Sequence, residues 1–250
     1  MNTIVNFPLP LSVFAFFVLW GSAVLGAIIC KRVGPLPKEE RDDFAVVQGA
    51  SLTLLGLLIG FTFSMSISRY DLRKNYEESE ANAIGTEYVR VGLLSPAETA
   101  TVRELLRRYL DLRIRFYTSR RGEALQHINN DTAQVQNEMW SAVQARAETQ
   151  PTPTIALTVA GMNDVLNAQG YTQAAWWNRI PLEAWVLLAV IAIGCNLLVG
   201  YGAHRRSMLL VVLPLAVSIS FFLIADIESP RGGVVRVQPQ NLVSLARGLR

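Results

Sequence analysis

The sequence predicts an all-α fold: a four-span helical membrane protein with an extended helical extramembrane domain inserted between spans 2 and 3. Three observations carry that prediction. Residues 184–202 and 208–225 contain no Asp, Glu, Lys or Arg, and the short gap between them holds His204, Arg205 and Arg206, as expected of a transmembrane hairpin. Two further apolar runs, 11–30 and 44–67, form a second pair near the N-terminus. The composition is 51% hydrophobic and only 17% charged, against ~25% charged in soluble chains.

Length is the physical reason for reading these runs as spans. A hydrocarbon core about 30 Å thick needs ~20 apolar helical residues to cross it. Lipid offers the backbone no hydrogen-bond partner, so such a run is helical or belongs to a closed barrel. Barrel strands alternate apolar and polar residues; LLAVIAIGCNLLVG and LLVVLPLAVSISFFL do not.

Span 1, Leu11–Cys30, closes on Lys31 and Arg32. A secretory signal has a basic segment before its apolar core, and no Lys or Arg precedes Lys31, so an uncleaved anchor is expected. Span 2, Phe44–Ile67, is more polar, with Gln48, Ser51, Thr53, Thr62, Ser64 and Ser66. The expected organisation is a first membrane pair in 1–67, a helical domain in 68–180, a second membrane pair in 181–225 and a tail in 226–250. Cys30 and Cys195 both lie in spans and read as buried packing thiols. The net charge of +3 gives no support to a nucleic-acid partner. Charge does not orient the protein either. Lys31, Arg32, Lys38, Arg41, Arg205 and Arg206 on one face balance Arg69, Arg73, Lys74, Arg179, Arg231 and Arg236 on the other. The length of the insert favours placing it, with both termini, in the cytoplasm.

The insert reads as helical. Arg69–Val91 continues span 2 with no breaker before Gly85. Ser95-Pro96-Ala97-Glu98 combines a capping serine, a proline at the first helical position and a capping-box glutamate. The helix that follows, to about Tyr117, gathers Val102, Leu105, Leu106, Tyr109, Leu110 and Phe116 on one side. Gly122 and Asn129-Asn130 are read as breaks, with a third helix from Asp131 or Thr132 to about Glu148. Pro151 and Pro153 break again, and a fourth helix covers about Ile155–Ala175. Trp176 and Trp177 then read as an interfacial anchor. Glu183 falls in the first turn of span 3, where the helix dipole favours an anion.

Catalytic chemistry is missing from the pattern. The two histidines, His127 and His204, have no second ligand type at metal spacing. No phosphate-binding glycine loop and no nucleophile elbow occur. Paired carboxylates such as Glu39-Glu40 and Glu77-Glu78 read as solvated faces. The expectation is a non-enzyme without metal or cofactor.

The strongest signal lies in span 2. Gly49, Thr53, Gly56, Gly60 and Ser64 share one small-residue face, with a GxxxG at Gly56–Gly60. Small residues let helices approach closely in lipid. Two readings are open: packing within one subunit, or packing against copies of the same helix around an axis. The hydroxyls at Thr62, Ser64, Ser66 and Ser68 and the basic exit at Arg69 suit a helix that meets water.

Ile59-Gly60-Phe61 followed by Ser68-Arg69-Tyr70 resembles the pore helix of bestrophins, and Glu228-Ser229-Pro230-Arg231-Gly232 resembles the acidic-x-Pro-x-Gly segment after their last span. The chain is more closely similar to a bacterial bestrophin-like integral membrane family. That likeness rests on Gly-Phe-Thr-Phe-Ser, the Ser-Arg-Tyr exit, Glu80–Thr86 and Ser229–Gly233, and it covers nearly the whole chain. The resemblance implies a homopentameric ion channel, more often for anions than cations, whose partners are the lipid bilayer, its own copies and small inorganic ions. It implies a pore neck at Thr53, Leu57 and Phe61, of which Leu57 and Phe61 can form a dewetting constriction. Thr53 departs from the apolar pattern. The small-residue spacing places helix packing at Gly49, Gly56, Gly60 and Ser64, and the resemblance places the pore exit at Ser68, Arg69 and Tyr70. Calcium-activated bestrophins carry an acidic run after Pro-x-Gly; here Gly233-Val234-Val235-Arg236 follows, so calcium gating is not supported.

Two features remain open. Arg103, Arg107, Arg108, Arg113, Arg115, Arg120 and Arg121 crowd one stretch of the insert. They read either as a solvated helix face paired locally or as an electropositive vestibule, with Arg103, Arg107 and Arg108 as its candidates. Asn196, mid-span, is expected to bond a neighbouring helix, and Pro214 to kink the last span. Two functions from different classes follow: a channel, or a non-conducting membrane sensor or scaffold whose insert docks a partner. A channel turns the Thr53/Leu57/Phe61 side of span 2 toward a central axis. A scaffold buries that side within one subunit.

Overall fold

The computed structural model describes residues 7–120, 122–203 and 208–249. Every helix or turn of regular structure among them is helical. In chain order these are α1 (Pro8–Val33), α2 (Lys38–Arg90), a 3-10 turn (Val91–Leu93), α3 (Pro96–Thr118), α4 (Glu123–Thr149), α5 (Pro153–Trp177), α6 (Leu182–Gly202), α7 (Leu209–Glu228) and α8 (Gln240–Gly248). His204, Arg205, Arg206 and Arg121 lie outside the described residues. The chain divides into two units, residues 1–68 with 179–235, and residues 69–178 with 236–250. Residues 226–235 fall in the first unit and 236–250 in the second.

The first unit holds the four apolar helices. The α1–α2 connection is shorter than the 31–43 loop read from the sequence, because α1 runs to Val33 and α2 starts at Lys38. Gly34, with φ +97°, makes the turn, and its N–H closes on the Cys30 carbonyl. Helix α1 packs on α6 and α7. Gly26 and Gly200 set the α1–α6 distance. A Cβ at Gly26 would overlap the Leu197 carbonyl, and one at Gly200 would overlap the Ala23 carbonyl. This close approach was not singled out from the sequence. The core of the unit is Leu19, Leu55, Leu188, Ala192, Cys195, Val217 and Phe221. Both cysteines are free thiols, and Cys195 donates to the Ser51 carbonyl of α2 at 3.3 Å. Asn196 corrects an expectation: its Nδ2 donates to Ala192 of its own helix at 2.8 Å, not to a neighbour. Pro214 sits inside α7, which stays one continuous helix.

After α7 the chain turns back on itself. The Asp226 carboxylate accepts the Val234 and Val235 N–H groups at 2.7 and 2.8 Å, and Glu228 accepts the Ile180 N–H at 2.9 Å. A Cβ on Gly233 would meet the Asp226 carbonyl, which gives the Ser229–Gly233 motif a steric reason. Asp226→Ala is expected to remove two charge-assisted bonds and cost about 1.5–3 kcal/mol locally. Faster amide exchange at Val234 and Val235 is the measurement; unchanged exchange would show that the turn holds without Asp226.

The second unit is a helical domain around Ile84, Val102, Leu106, Tyr109, Phe116, Val135, Met139, Met162, Val165, Trp176 and Leu242. The capping box forms as read: the Glu98 carboxylate accepts the Ser95 N–H at 3.1 Å. Helix α4 runs straight through Asn129-Asn130 from Glu123, against the expected break. Thr132, Val135, Met139 and Val143 fall on one buried stripe at helical spacing, and burial of that stripe overrides the weak local preference of two asparagines. The tryptophan pair also divides. Trp176 is 5% exposed and lies edge-on to Phe116 and Tyr117, with centroids at 5.1 and 5.5 Å, whereas Trp177 is 74% exposed. Of the pair, only Trp177 faces outward.

The charged hub of this unit is Glu80. Its carboxylate pairs with Arg113, both groups being fully buried, and accepts from Thr172 at 3.2 Å, Tyr109 at 3.4 Å and Tyr117 at 3.5 Å. Burial first, then the Glu80 charge, pushes both phenols above their ordinary range, so they remain neutral donors. Nearby, Glu77 accepts the Leu242 N–H at 2.9 Å and the Asn241 amide at 2.7 Å, holding the start of α8.

Candidate functional site

Helix α2 presents two different sides within residues 44–67. Leu52, Leu55, Leu58 and Ile59 turn into the core of the first unit. The opposite side carries Gly49, Thr53, Gly56, Leu57, Gly60, Phe61 and Ser64, all exposed or half-buried. Leu57 is 52% and Phe61 66% exposed. A Cβ built on Gly49, Gly56 or Gly60 meets no other atom within 4 Å. Of the best apolar window in this helix only 6% is buried, against 22–39% in the other candidate spans. Among the described residues, the GxxxG therefore makes no close helix contact within this chain. Such contact is made by Gly26 and Gly200.

Four hydroxyls of this helix bond to its own backbone. Thr53 donates to the Gly49 carbonyl at 2.9 Å, Thr62 to Leu58 at 2.7 Å, Ser66 to Thr62 at 3.0 Å and Ser68 to Ser64 at 3.1 Å. A hydroxyl bonded to the carbonyl four residues back is tolerated in lipid and remains able to accept from water. Of the three residues expected at a pore exit, Ser68 is exposed, Arg69 and Tyr70 are half-buried, and Tyr70 packs on the core of the helical domain.

The arginine stretch of α3 is tied up locally. Arg103 donates to the Tyr88 carbonyl at 3.2 Å and lies 4.8 Å over the Tyr88 ring. Arg107 donates to the Tyr88 hydroxyl at 2.6 Å and to the Leu249 carbonyl at 3.3 Å. Arg108 pairs with Glu138 at 3.2 Å. Arg113 is interior, where the sequence had grouped it with surface charges. These contacts favour local pairing over a free electropositive lining. Among the described residues no group of three or more His, Cys, Asp or Glu side chains is placed to hold a metal.

Four helices long and apolar enough to cross a bilayer, joined to a helical domain, define a multi-pass membrane protein of all-α class. A family model described as the bestrophin-like domain matches residues 16–242, and the chain belongs to that family. A bacterial bestrophin homolog from Klebsiella pneumoniae has the same fold, with TM-score 0.66, 15% identity, and 95% of this chain and 96% of that one covered. Two single-substitution variants of a bacterial bestrophin homolog from the same organism match at TM-scores 0.67 and 0.64 with 14% and 13% identity. One covers 96% of each chain, the other 95% of this chain and 97% of that one. No curated protein gives a significant match.

Proposed function

We propose that this protein is the subunit of a homo-oligomeric ion channel, a pentamer passing anions in preference to cations, with α2 lining the pore. The observation that carries the reading is the bare side of α2: Thr53, Leu57 and Phe61 are exposed, and the glycines beside them meet no neighbour among the described residues. Aromatic and aliphatic side chains repeated around an axis make a constriction that sheds water. Glycines alongside let sister helices come close. Gly49, Gly56, Gly60 and Ser64 are assigned to that helix contact, and Ser68, Arg69 and Tyr70 to the pore exit. Arg103, Arg107 and Arg108 have local partners, and Arg107 and Arg108, still half-exposed, remain the candidates for a basic vestibule wall. The setting is the inner, plasma membrane, with insert and termini on the cytoplasmic side. The chemistry required is passage of small inorganic ions, with no catalytic step.

The experiment is a subunit count on purified protein followed by flux from liposomes, with chloride and potassium measured separately. Phe61→Ala is expected to raise ion flux several-fold by widening the neck. A stable monomer, or an oligomer passing neither ion, would overturn the reading in favour of a non-conducting scaffold. Unchanged flux in Phe61→Ala would remove Phe61 from the constriction while leaving the channel.

A further inference from the structure

Glu87, one helical turn before the end of α2, is 0% exposed, and neither of its carboxyl oxygens has a hydrogen-bond partner. It lies in the helical domain, beyond the charged stretch Arg69–Glu80 that closes the apolar span. Its Oε2 rests on Gly161 of α5, so closely that a Cβ there would overlap it. The groups around it are few. Arg90, on the same helix, places Nη1 3.6 Å from Asp164 Oδ2 of α5, and that Asp164 side chain is 67% exposed. The 3-10 turn Val91–Leu93 brings no charge. From α3 comes Arg103, already bound to Tyr88.

A carboxylate without donors in such a place is costly; a neutral carboxyl is far less so. We propose that Glu87 is a proton-binding latch between α2 and α5. With the proton on, the neutral carboxyl lets the Gly161 turn of α5 lie directly against α2, and Arg90 is free to hold Asp164 at the rim. With the proton lost to bulk base, the buried charge draws Arg90 inward from Asp164, and the Gly161 contact leaves no room for that donor to reach the carboxylate. The α2–α5 contact then opens. Geometry carries the proposal: full burial, no hydrogen-bond partner for either oxygen, a glycine backbone against the carboxyl, and Arg90 Nη1 beside the same Gly161 position while paired with Asp164.

The titration agrees in direction. Burial above all pushes the Glu87 carboxyl up, Arg90 opposes, Asp164 adds to the rise, and the result is about 8. Between the ordinary value of 4.5 and that point, the folded protein keeps a proton the unfolded chain has shed. Stability from this group is therefore fully present below the lower value and is lost as pH rises through the upper one.

The proposal is independent of whether α2 lines a pore, and its test uses the full-length protein in detergent. Infrared spectra of the wild type should show a protonated carboxyl C=O stretch at about pH 6 that disappears by about pH 9. Glu87→Gln should abolish that band. The wild type should lose about 5 °C or more of melting temperature over this range relative to Glu87→Gln. Absence of the band from the wild type at the lower pH would overturn the proposal, and that measurement stands even where the variant fails to fold. Equal pH dependence of melting in the two proteins would overturn it as well.

Discussion

Glu80→Ala is expected to destabilise the helical domain by about 3–5 kcal/mol, the cost of leaving a buried charge without its partner. Four groups lose their acceptor at once: Arg113, Tyr109, Tyr117 and Thr172. Arg113 is the costly one, because it is fully buried within α3, with the Phe116 ring 4.4 Å from its guanidinium. Unfolding of the purified protein, followed by near-ultraviolet signal from Trp176, measures the loss. The pair is a specificity device more than a source of net stability, since apolar residues of similar volume replace such pairs at little cost. Glu80→Leu with Arg113→Met should therefore recover much of what Glu80→Ala loses. A double variant no better than the single one would mean that the tyrosines and Thr172 carry the energy.

Gly200→Ala, and separately Gly26→Ala, should each cost about 3 kcal/mol, the upper part of the range for overpacking. The obstacle is backbone: the added methyl would meet the Ala23 carbonyl in one case and the Leu197 carbonyl in the other, and a helix cannot swing a carbonyl aside as it would a side-chain end. Gly56→Ala supplies the contrast. Its Cβ enters open space, and alanine gains up to ~1 kcal/mol of helix propensity over glycine. Thermal melting in detergent should thus fall for the first two and hold or rise for the third. Should Gly56→Ala instead disrupt assembly while the subunit stays folded, that would add weight to α2 meeting its own copies. Equal tolerance at all three positions would mean that α1 and α6 pack less closely than described.

The same contrast shows where sequence reasoning reaches and where it stops. The four apolar helices were legible because hydrocarbon thickness sets a length that few soluble helices satisfy without charge. The start of α3 was legible because Ser95 and Glu98 satisfy each other's backbone donors locally. Gly26 and Gly200 were not legible, since glycine is common in spans and only the crossing of two helices decides which one is used. Arg113 looked like its neighbours in the arginine stretch; what sets it apart is Glu80, a third of the insert away in sequence. Trp176 and Trp177 are adjacent and chemically identical, yet one helical step of 100° sends the first into a core and the second out of it.

Of the candidate site, the residues were readable and their surroundings were not. The small-residue face of α2 could be named from spacing, and the proposed neck positions Thr53, Leu57 and Phe61 from family likeness alone. Whether that face was covered required knowing which side of α2 the other three spans occupy. They take Leu52, Leu55, Leu58 and Ile59 and leave the glycines bare.

The sequence by itself determined that the chain is helical, crosses lipid four times and carries a helical domain between two pairs of spans, because those properties depend on residue type counted along one helix. Tertiary structure alone decided which glycines bind helices together, which arginine is interior, and which acid sits in a pocket without a donor. These depend on what lies opposite each side chain, and long-range packing, not local pattern, supplies that neighbour.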